Sequence, residues 1–499
     1  MERSSGIFLH ITSLPSKYGI GTLGKASYEF VDFLDKSNVK IWQILPLNLT
    51  SYGDSPYQSP SNYGYSYYLI DLDILIEKGL LKKSEVNKVK WFYEEDRTNF
   101  EIMFNEKTKL LKLAFSRFNK TSKRGFKTFL KENKNASDFS FYMTLKTLHN
   151  FRPWNEWNLP YSIELEKRVK KENKDLYEFF MWTQFEFLDE YKKLKKYANK
   201  KNIKIMGDIP IYLAFDSIEC YKFPQMFEFD EKHNPINVAG CPPDCFSETG
   251  QLWGNPLYNW KYLKSTNYKW WNERINNALN LYDLVRIDHF RGFSAYYSIP
   301  YGDETAINGK WVKGLGIELF KDKLDYPIVA EDLGFIDEDF EKLMKEVKYP
   351  GMKIFVQGIL NSKEDSWRAP NFDKTHLIYT STHDSETALE YYDELTEDKK
   401  KLMIENVKED AKYFNIDFKE EISREELEKL MIEISYASDA ICVITPMWDL
   451  LELGVEGRMN KPSTLSTSNW SWRMEKMQFE KNKLRIARFL NNLNTKYRR

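Results

Sequence analysis

Asp288, Glu331 and Asp384 each stand at or near the end of a short apolar run and are the first candidates for chemistry. The runs are Leu284–Asp288, Ile328–Asp332 and Leu377–Asp384. Runs of this length that are rich in aliphatic residues are too short for helices and predict buried parallel strands. Because α/β barrels place their chemistry at the carboxyl ends of their strands, the three acids predict one active site. A nucleophilic and a proton-donating carboxyl group, about 5 to 5.5 Å apart, would perform retaining glycoside chemistry, with the third acid orienting hydroxyls.

Arg286 lies two residues before Asp288, so both side chains are expected on the same side of one strand. A neighbouring guanidinium would hold the carboxylate ionised, which suits a nucleophile. The alternative is a buried ion pair that only holds the barrel together.

Glu331 and Asp332 are adjacent, so a strand sends their side chains in opposite directions and only one of them faces the barrel mouth. Partial burial beside other carboxylates raises the pKa of a glutamate toward neutrality, which suits Glu331 as a general acid. The residue pattern alone leaves Asp332 as an alternative.

His383 and Asp384 follow Thr382 in a polar cluster that would be costly at the end of a buried strand without a ligand. His383 is suited to donate to a substrate hydroxyl, and Asp384 to accept from hydroxyls of a distorted ring as positive charge develops. The alternative for His383 is a satisfied core histidine.

Two groups of residues have the chemistry of metal ligands. Asp and Glu side chains at strand ends also suit a magnesium ion, but an arginine beside the presumed ligand Asp288 argues against it. Cys241 and Cys245 have no second pair of cysteine or histidine residues beside them, so a zinc site is not predicted.

Composition predicts a soluble cytoplasmic protein with a neutral partner. The 499 residues carry 73 basic and 74 acidic side chains, so no overall field favours nucleic acid or an anionic membrane. Four cysteines are too few for a disulfide framework, and neither a signal peptide nor a membrane-spanning run is present. Aromatic residues supply 16% of the chain, which suits platforms for sugar rings or reflects a simple bias of composition.

Eight apolar runs in total predict a closed (β/α)8 barrel. The five further runs are Gly6–His10, Ile41–Pro46, Ile203–Asp208, Met352–Val356 and Ala440–Ile444. We expect one barrel domain over residues 1–499, with a largely helical insertion at 76–198 and a turn-rich, irregular lobe at 215–260.

Longer motifs resemble the 4-α-glucanotransferases of the amylomaltase (disproportionating enzyme) type, in the α-amylase clan. The motifs are Asp54–Ser59, Gly207–Tyr212, Gly250–Tyr258, Val285–Phe293, Ala330–Gly334, Thr382–Asp384 and Arg458–Pro462. The resemblance implies a TIM barrel with inserted subdomains and without a C-terminal β-sandwich.

The resemblance also implies a role for each motif residue. It makes Asp288 the nucleophile of a covalent glycosyl-enzyme, Glu331 the acid/base and Asp384 the stabiliser of the transition state. The substrate-binding positions that it implies are Tyr57, Asp208, Trp253, Arg286, His383 and Asn460.

The implied reaction is that of a hexosyltransferase that uses no metal and no organic cofactor. It moves a glucan segment from a maltooligosaccharide to the 4-hydroxyl of glucose or of another α-1,4-glucan, with water disfavoured by an enclosing loop near 241–253. The alternatives are an α-amylase-like hydrolase and a silent glucan-binding scaffold. The sequence makes no prediction of oligomeric state.

The chain departs from the family pattern at several positions. They are the segment Ser61–Tyr67, Cys245 in place of a tyrosine, Ser381, Ser385, Glu386, Ser463 and Ser468. These differences leave the specificity open, whereas the three acids with their Arg and His neighbours predict an active enzyme.

Overall fold

A computed structural model describes residues 1–118, 124–243 and 247–499. Twelve strands occur in these ranges. In chain order they are β1 (Ser4–Phe8), β2 (Ile41–Gln43), β3 (Lys204–Pro210), β4 (Asn237–Cys241), β5 (Gln251–Pro256), β6 (Leu284–Asp288), β7 (Ala295–Pro300), β8 (Lys310–Lys313), β9 (Ile328–Ala330), β10 (Gly351–Ile354), β11 (His376–Tyr379) and β12 (Cys442–Pro446).

The α-helices lie mainly between the strands. They are α1 (Lys25–Lys36), α2 (Leu72–Glu77), α3 (Lys83–Val86), α4 (Phe100–Ile102), α5 (Thr108–Arg117), α6 (Arg124–Glu132), α7 (Lys134–Leu148), α8 (Ile163–Glu172), α9 (Lys174–Lys200), α10 (Ile218–Lys222), α11 (Trp260–Ser265), α12 (Lys269–Leu281), α13 (Glu338–Val347), α14 (Phe355–Gly358), α15 (Ala388–Glu394), α16 (Glu397–Tyr413), α17 (Arg424–Ala437), α18 (Met447–Leu450) and α19 (Lys476–Tyr497).

Eight parallel strands form the central sheet in the order β10-β11-β12-β1-β2-β3-β6-β9. Each of the eight apolar runs overlaps one of these strands, so the predicted (β/α)8 barrel is confirmed. The strands are almost entirely buried because aliphatic side chains fill the interior and the helices cover the outside. Helices α18 and α19, and no β-sandwich, follow β12 in the described residues.

The joint between β9 and β10 completes the barrel. The Ala330 N–H donates to the Pro350 carbonyl at 2.9 Å, and the Met352 N–H donates to Asp332 Oδ1 at 2.6 Å. Position 351 is glycine because a Cβ there would overlap the Asp332 carboxylate. The side chain of Asp332 therefore replaces a missing backbone acceptor in the sheet.

Two long insertions interrupt the alternation of strands and helices. Helices α2 to α9 fill the interval between β2 and β3, so residues 76–198 are largely helical. In 215–260, where turn-forming residues predict irregular structure, the chain instead forms β4 and β5 of a second, antiparallel sheet with the order β5-β4-β7-β8. The sequence pattern does not predict this sheet, and the division into domains stays a prediction.

Asp337 and Thr387 are the N-cap residues of helices α13 and α15. Asp337 accepts from the Phe340 N–H at 2.9 Å at the start of α13, and Thr387 accepts from the Glu390 N–H at 3.0 Å at the start of α15. Such caps satisfy the free N–H groups of the first turn and fix where each loop ends. No helix in the described ranges has the length and apolar character needed to cross a membrane.

Candidate active site

Arg286 holds two carboxylates at the carboxyl end of the barrel. Its Nη2 donates to Asp288 Oδ1 at 2.8 Å, and its Nη1 donates to Asp208 Oδ2 at 2.5 Å. Asp208 is the register partner of Arg286 on the neighbouring strand β3. Burial opposes the charge of Arg286, but the two carboxylates raise its pKa well above the ordinary value, so the cation is retained.

Tyr57 connects this pair to His383. The Tyr57 hydroxyl donates to Asp208 Oδ2 at 2.8 Å and lies 2.9 Å from His383 Nε2. The Tyr57 and His383 rings are stacked, with centroids 5.6 Å apart and planes 14° from parallel. Since the hydroxyl proton points at Asp208, a proton on Nε2 of His383 satisfies the remaining contact.

Asp384 is held as an anion at the end of this network. Its Oδ2 lies 3.0 Å from His383 Nε2, and its Oδ1 accepts from Asn460 Nδ2 at 2.7 Å. Burial within the cleft acts to raise the pKa of Asp384, but His383, Asn460 and Arg286 together lower it to about 2. The side chain is nevertheless 44% exposed, so the carboxylate is ionised and open to a ligand.

Glu331 is held in the opposite protonation state. Its Oε2 accepts from the His289 N–H and its Oε1 from the Leu333 N–H, both at 2.7 Å. Burial and the charge of Asp288 raise the pKa of Glu331 to about 8, although Arg286 and the two N–H donors oppose the shift. Glu331 is therefore protonated at neutral pH, which fits a general acid.

Asp332 turns away from Glu331, as strand alternation predicts. It belongs to the β9–β10 joint, where its carboxylate accepts from the Met352 N–H. This contact gives Asp332 a structural task and leaves Glu331 as the acid that faces Asp288.

Seven of the nine predicted site residues form one continuous chain of hydrogen bonds and ion pairs. In order they are Asn460, Asp384, His383, Tyr57, Asp208, Arg286 and Asp288. His289 connects Glu331 and Trp253 to this chain. Its N–H donates to Glu331, and its ring packs edge-on against that of Trp253, with centroids 4.9 Å apart and planes at 88°. All nine residues thus border one site, and their roles are proposals taken up below.

Three further residues border the site, and the sequence predicts no role for them. His289 lies within the motif 285–293 and has φ 49°, and burial lowers its pKa to about 4. The ring of Trp470 lies 5.7 Å from that of Tyr57 and 5.9 Å from that of His383. Met352 accepts from Arg286 Nε at 3.4 Å. The motif itself was a signal for His289, whereas nothing in the sequence distinguished Met352 from any other core methionine.

Two of the departures from the family pattern are held by hydrogen bonds. Ser381 donates to Asp449 Oδ2 at 2.7 Å, and Ser385 Oγ accepts from the Thr382 N–H at 2.9 Å. Cys245 lies outside the described residues, as do parts of the predicted irregular lobe and of the enclosing loop. In the part of the chain that the structure describes, no group of three or more His, Cys, Asp or Glu side chains is arranged to hold a metal ion.

Comparisons with known proteins agree on one family. The family model described as 4-alpha-glucanotransferase matches residues 9–478. A 4-alpha-glucanotransferase of Clostridium butyricum is 45% identical over 93% of this chain and 95% of the relative. One of Streptococcus pneumoniae is 39% identical over 100% of this chain and 98% of the relative.

A solved structure agrees with the sequence relatives. The amylomaltase of Streptococcus agalactiae in complex with acarbose superposes with a TM-score of 0.93 at 36% identity, covering 100% of both chains. With its barrel, its three acids and these matches along almost its whole length, the chain belongs to the 4-alpha-glucanotransferase family.

Proposed function

We propose that this chain transfers α-1,4-glucan segments between maltooligosaccharides by a retaining double displacement. The observation that carries the proposal is the pair of carboxyl groups beside Asp288 in opposite protonation states, with Glu331 neutral and Asp384 ionised. The family membership and the acarbose complex of the Streptococcus agalactiae amylomaltase support it.

In the first step, Asp288 attacks the anomeric carbon of the donor glucan. A bond forms between a carboxylate oxygen of Asp288 and this carbon, while the bond from the carbon to the glycosidic oxygen breaks. Glu331 gives its proton to that oxygen, and the reducing-end fragment leaves as an alcohol. Arg286 orients Asp288 for the attack, since its Nη2 donates to Asp288 Oδ1 at 2.8 Å.

In the second step, an acceptor sugar reverses the first. Glu331, now an anion, takes the proton of the acceptor 4-hydroxyl, and the hydroxyl oxygen forms a bond to the anomeric carbon. The bond to Asp288 breaks, so the configuration is retained and the enzyme returns to its starting state.

Asp384, His383 and Asn460 act on the sugar that carries the developing positive charge. Asp384 is oriented by His383 and Asn460 and keeps accessible surface, so it accepts hydrogen bonds from ring hydroxyls that strengthen at the transition state. Tyr57 and Trp253 supply aromatic surface beside the same sugar, and Asp208 fixes both Tyr57 and Arg286.

One assay of the purified protein tests the activity. Incubation with maltotriose is expected to give glucose and longer oligomers at a constant number of reducing ends. Rising reducing ends would instead favour the hydrolase, and unchanged maltotriose the scaffold. Activity is expected to persist in chelator, because every step uses side chains of the chain itself.

The partners proposed are glucose, maltooligosaccharides and longer α-1,4-glucans, and no nucleic acid. The cytoplasmic location predicted from the sequence stays a prediction that cell fractionation would test.

A further inference from the structure

Trp311 and Phe335 form an exposed pair of aromatic rings, which we name the Trp311–Phe335 platform. The two side chains keep 38% and 63% of their surface accessible. Their rings lie 6.3 Å apart and within 28° of parallel. Trp311 belongs to β8, the edge strand of the antiparallel sheet, and Phe335 to the loop between β9 and α13.

Arg291 fixes the platform from the buried side. Its guanidinium carbon lies 4.2 Å from the ring centre of Trp311 and 5.2 Å from that of Phe335. Arg291 Nη2 donates to Asp337 at 2.8 Å, whereas Nε and Nη1 are buried without a hydrogen-bond partner among the described residues. The aromatic faces take the place of that partner, since their negative faces attract the cation. The rings are therefore held in place before any ligand binds.

The platform is connected to Glu331 along two short stretches of chain. Arg291 follows His289 by two residues, and the His289 N–H binds Glu331 Oε2. Phe335 follows Leu333 by two residues, and the Leu333 N–H binds Glu331 Oε1. The two stretches that hold the Glu331 carboxyl group thus continue directly into the support and the surface of the platform.

We infer that the Trp311–Phe335 platform binds a glucose unit of the acceptor glucan, beyond the unit whose 4-hydroxyl receives the segment. This inference rests on the proposed function, in which Glu331 takes the proton of the acceptor hydroxyl. Because the stretches that hold Glu331 reach the platform two residues later, we place the platform on the acceptor side of Glu331. Aromatic faces suit the C–H groups of a sugar ring, which carry slight positive charge. Stacking against ring faces does not depend on hydroxyl hydrogen bonds, so the platform favours chain length over the identity of one sugar.

The test measures two labelled acceptors with one unlabelled donor. Transfer from saturating maltohexaose to labelled glucose and to labelled maltotriose is followed in the wild type and in a Trp311→Ala/Phe335→Ala double variant. We expect the KM for maltotriose as acceptor to rise about fivefold and that for glucose to change by less than about twofold. The reason is that only the longer acceptor reaches the platform.

Two control variants make the result decisive. Trp311→Phe keeps an aromatic face and is expected to retain the wild-type KM for maltotriose, while Tyr413→Ala removes an exposed aromatic residue from α16 and is expected to change neither KM. Equal changes for both acceptors, or none, would overturn the inference. A wild type that transfers nothing to glucose would instead overturn the proposed function, so the two failures are distinguishable.

Discussion

Glu331 and Asp384 show how neighbouring residues give one type of functional group two tasks. Both are carboxylic acids in one cleft, yet burial beside Asp288 raises the pKa of Glu331 to about 8, and donors from His383 and Asn460 lower that of Asp384 to about 2. The gap between the two values separates a proton donor from an anion at neutral pH.

Asp288→Asn is expected to abolish transfer while leaving the fold intact. The amide keeps the size of the carboxylate and a hydrogen-bond acceptor for Arg286, but it is a poor nucleophile. We expect kcat to fall by about 10⁴-fold or more, a loss typical of removing a covalent nucleophile. The measurement is formation of longer oligomers from maltotriose. Asp325→Asn, in an exposed loop, is the matched control, and an Asp288→Asn enzyme of normal activity would exclude the assignment.

Glu331→Gln is expected to slow the first step in a way that depends on the leaving group. The amide cannot donate the proton that a sugar alcohol needs on leaving, so transfer from maltotriose should fall by about 10²- to 10⁴-fold. With α-maltosyl fluoride, whose fluoride leaves without protonation, the glycosyl-enzyme should form at a rate near that of the wild type. Mass spectrometry of the trapped enzyme would follow this step. Equal losses with both donors would count against Glu331 as the acid.

At the scale of elements, the barrel was predictable and the second sheet was not. Eight short aliphatic runs predicted eight strands because a strand that is buried on both faces consists almost entirely of apolar residues. Strand β5, Gln251–Pro256, contains glycine and proline and has exposed residues, so its sequence has the signals of a turn. Its partner β4 pairs on the other edge with β7, which lies far along the chain. In the sequence, the roles of Glu331 and Asp332 were separated only by family resemblance. The structure places Asp332 in the β9–β10 joint and binds Glu331 to the His289 and Leu333 N–H groups.

Asp332→Ala is expected to destabilise that joint. It leaves the buried Met352 N–H without its acceptor, which costs about 1–3 kcal/mol of unfolding free energy. Asp332→Asn retains an acceptor oxygen and should keep both stability and activity near those of the wild type. Chemical denaturation measures the first quantity and maltotriose transfer the second. If Asp332→Asn lost activity as severely as Glu331→Gln, the structural role of Asp332 would be wrong.

At the scale of the whole molecule, the site depends on contacts between distant parts of the chain. Tyr57 is 151 residues from Asp208 and 326 from His383, yet its hydroxyl touches both. Spacing in sequence contains no information about such contacts, so the connected network emerged only when the barrel brought its strand ends together. The same folding buries several carboxyl groups away from the site.

The buried acids give the whole molecule a predictable dependence of stability on pH. Burial is the main cause that raises the pKa of Glu331 to about 8, of Glu219 to about 7 and of Asp449 to about 6. In the unfolded chain these groups ionise near their ordinary values, so the folded state binds more protons above about pH 4.5. The stability that they contribute is complete below that pH and is lost as pH rises through the folded values.

We therefore expect the contribution of these acids to the free energy of unfolding to fall between about pH 4.5 and pH 8. For each such carboxyl, the free energy of unfolding falls by about 1.4 kcal/mol per pH unit between its unfolded and folded pKa values. Glu219→Gln tests the cause, because its oxygen still accepts from the Asn62 N–H, a bond of 2.9 Å in the wild type, but the side chain no longer titrates. Denaturation of both proteins across this range should give a shallower decline for the variant up to about pH 7. Parallel curves would mean that Glu219 does not stay protonated in the folded protein.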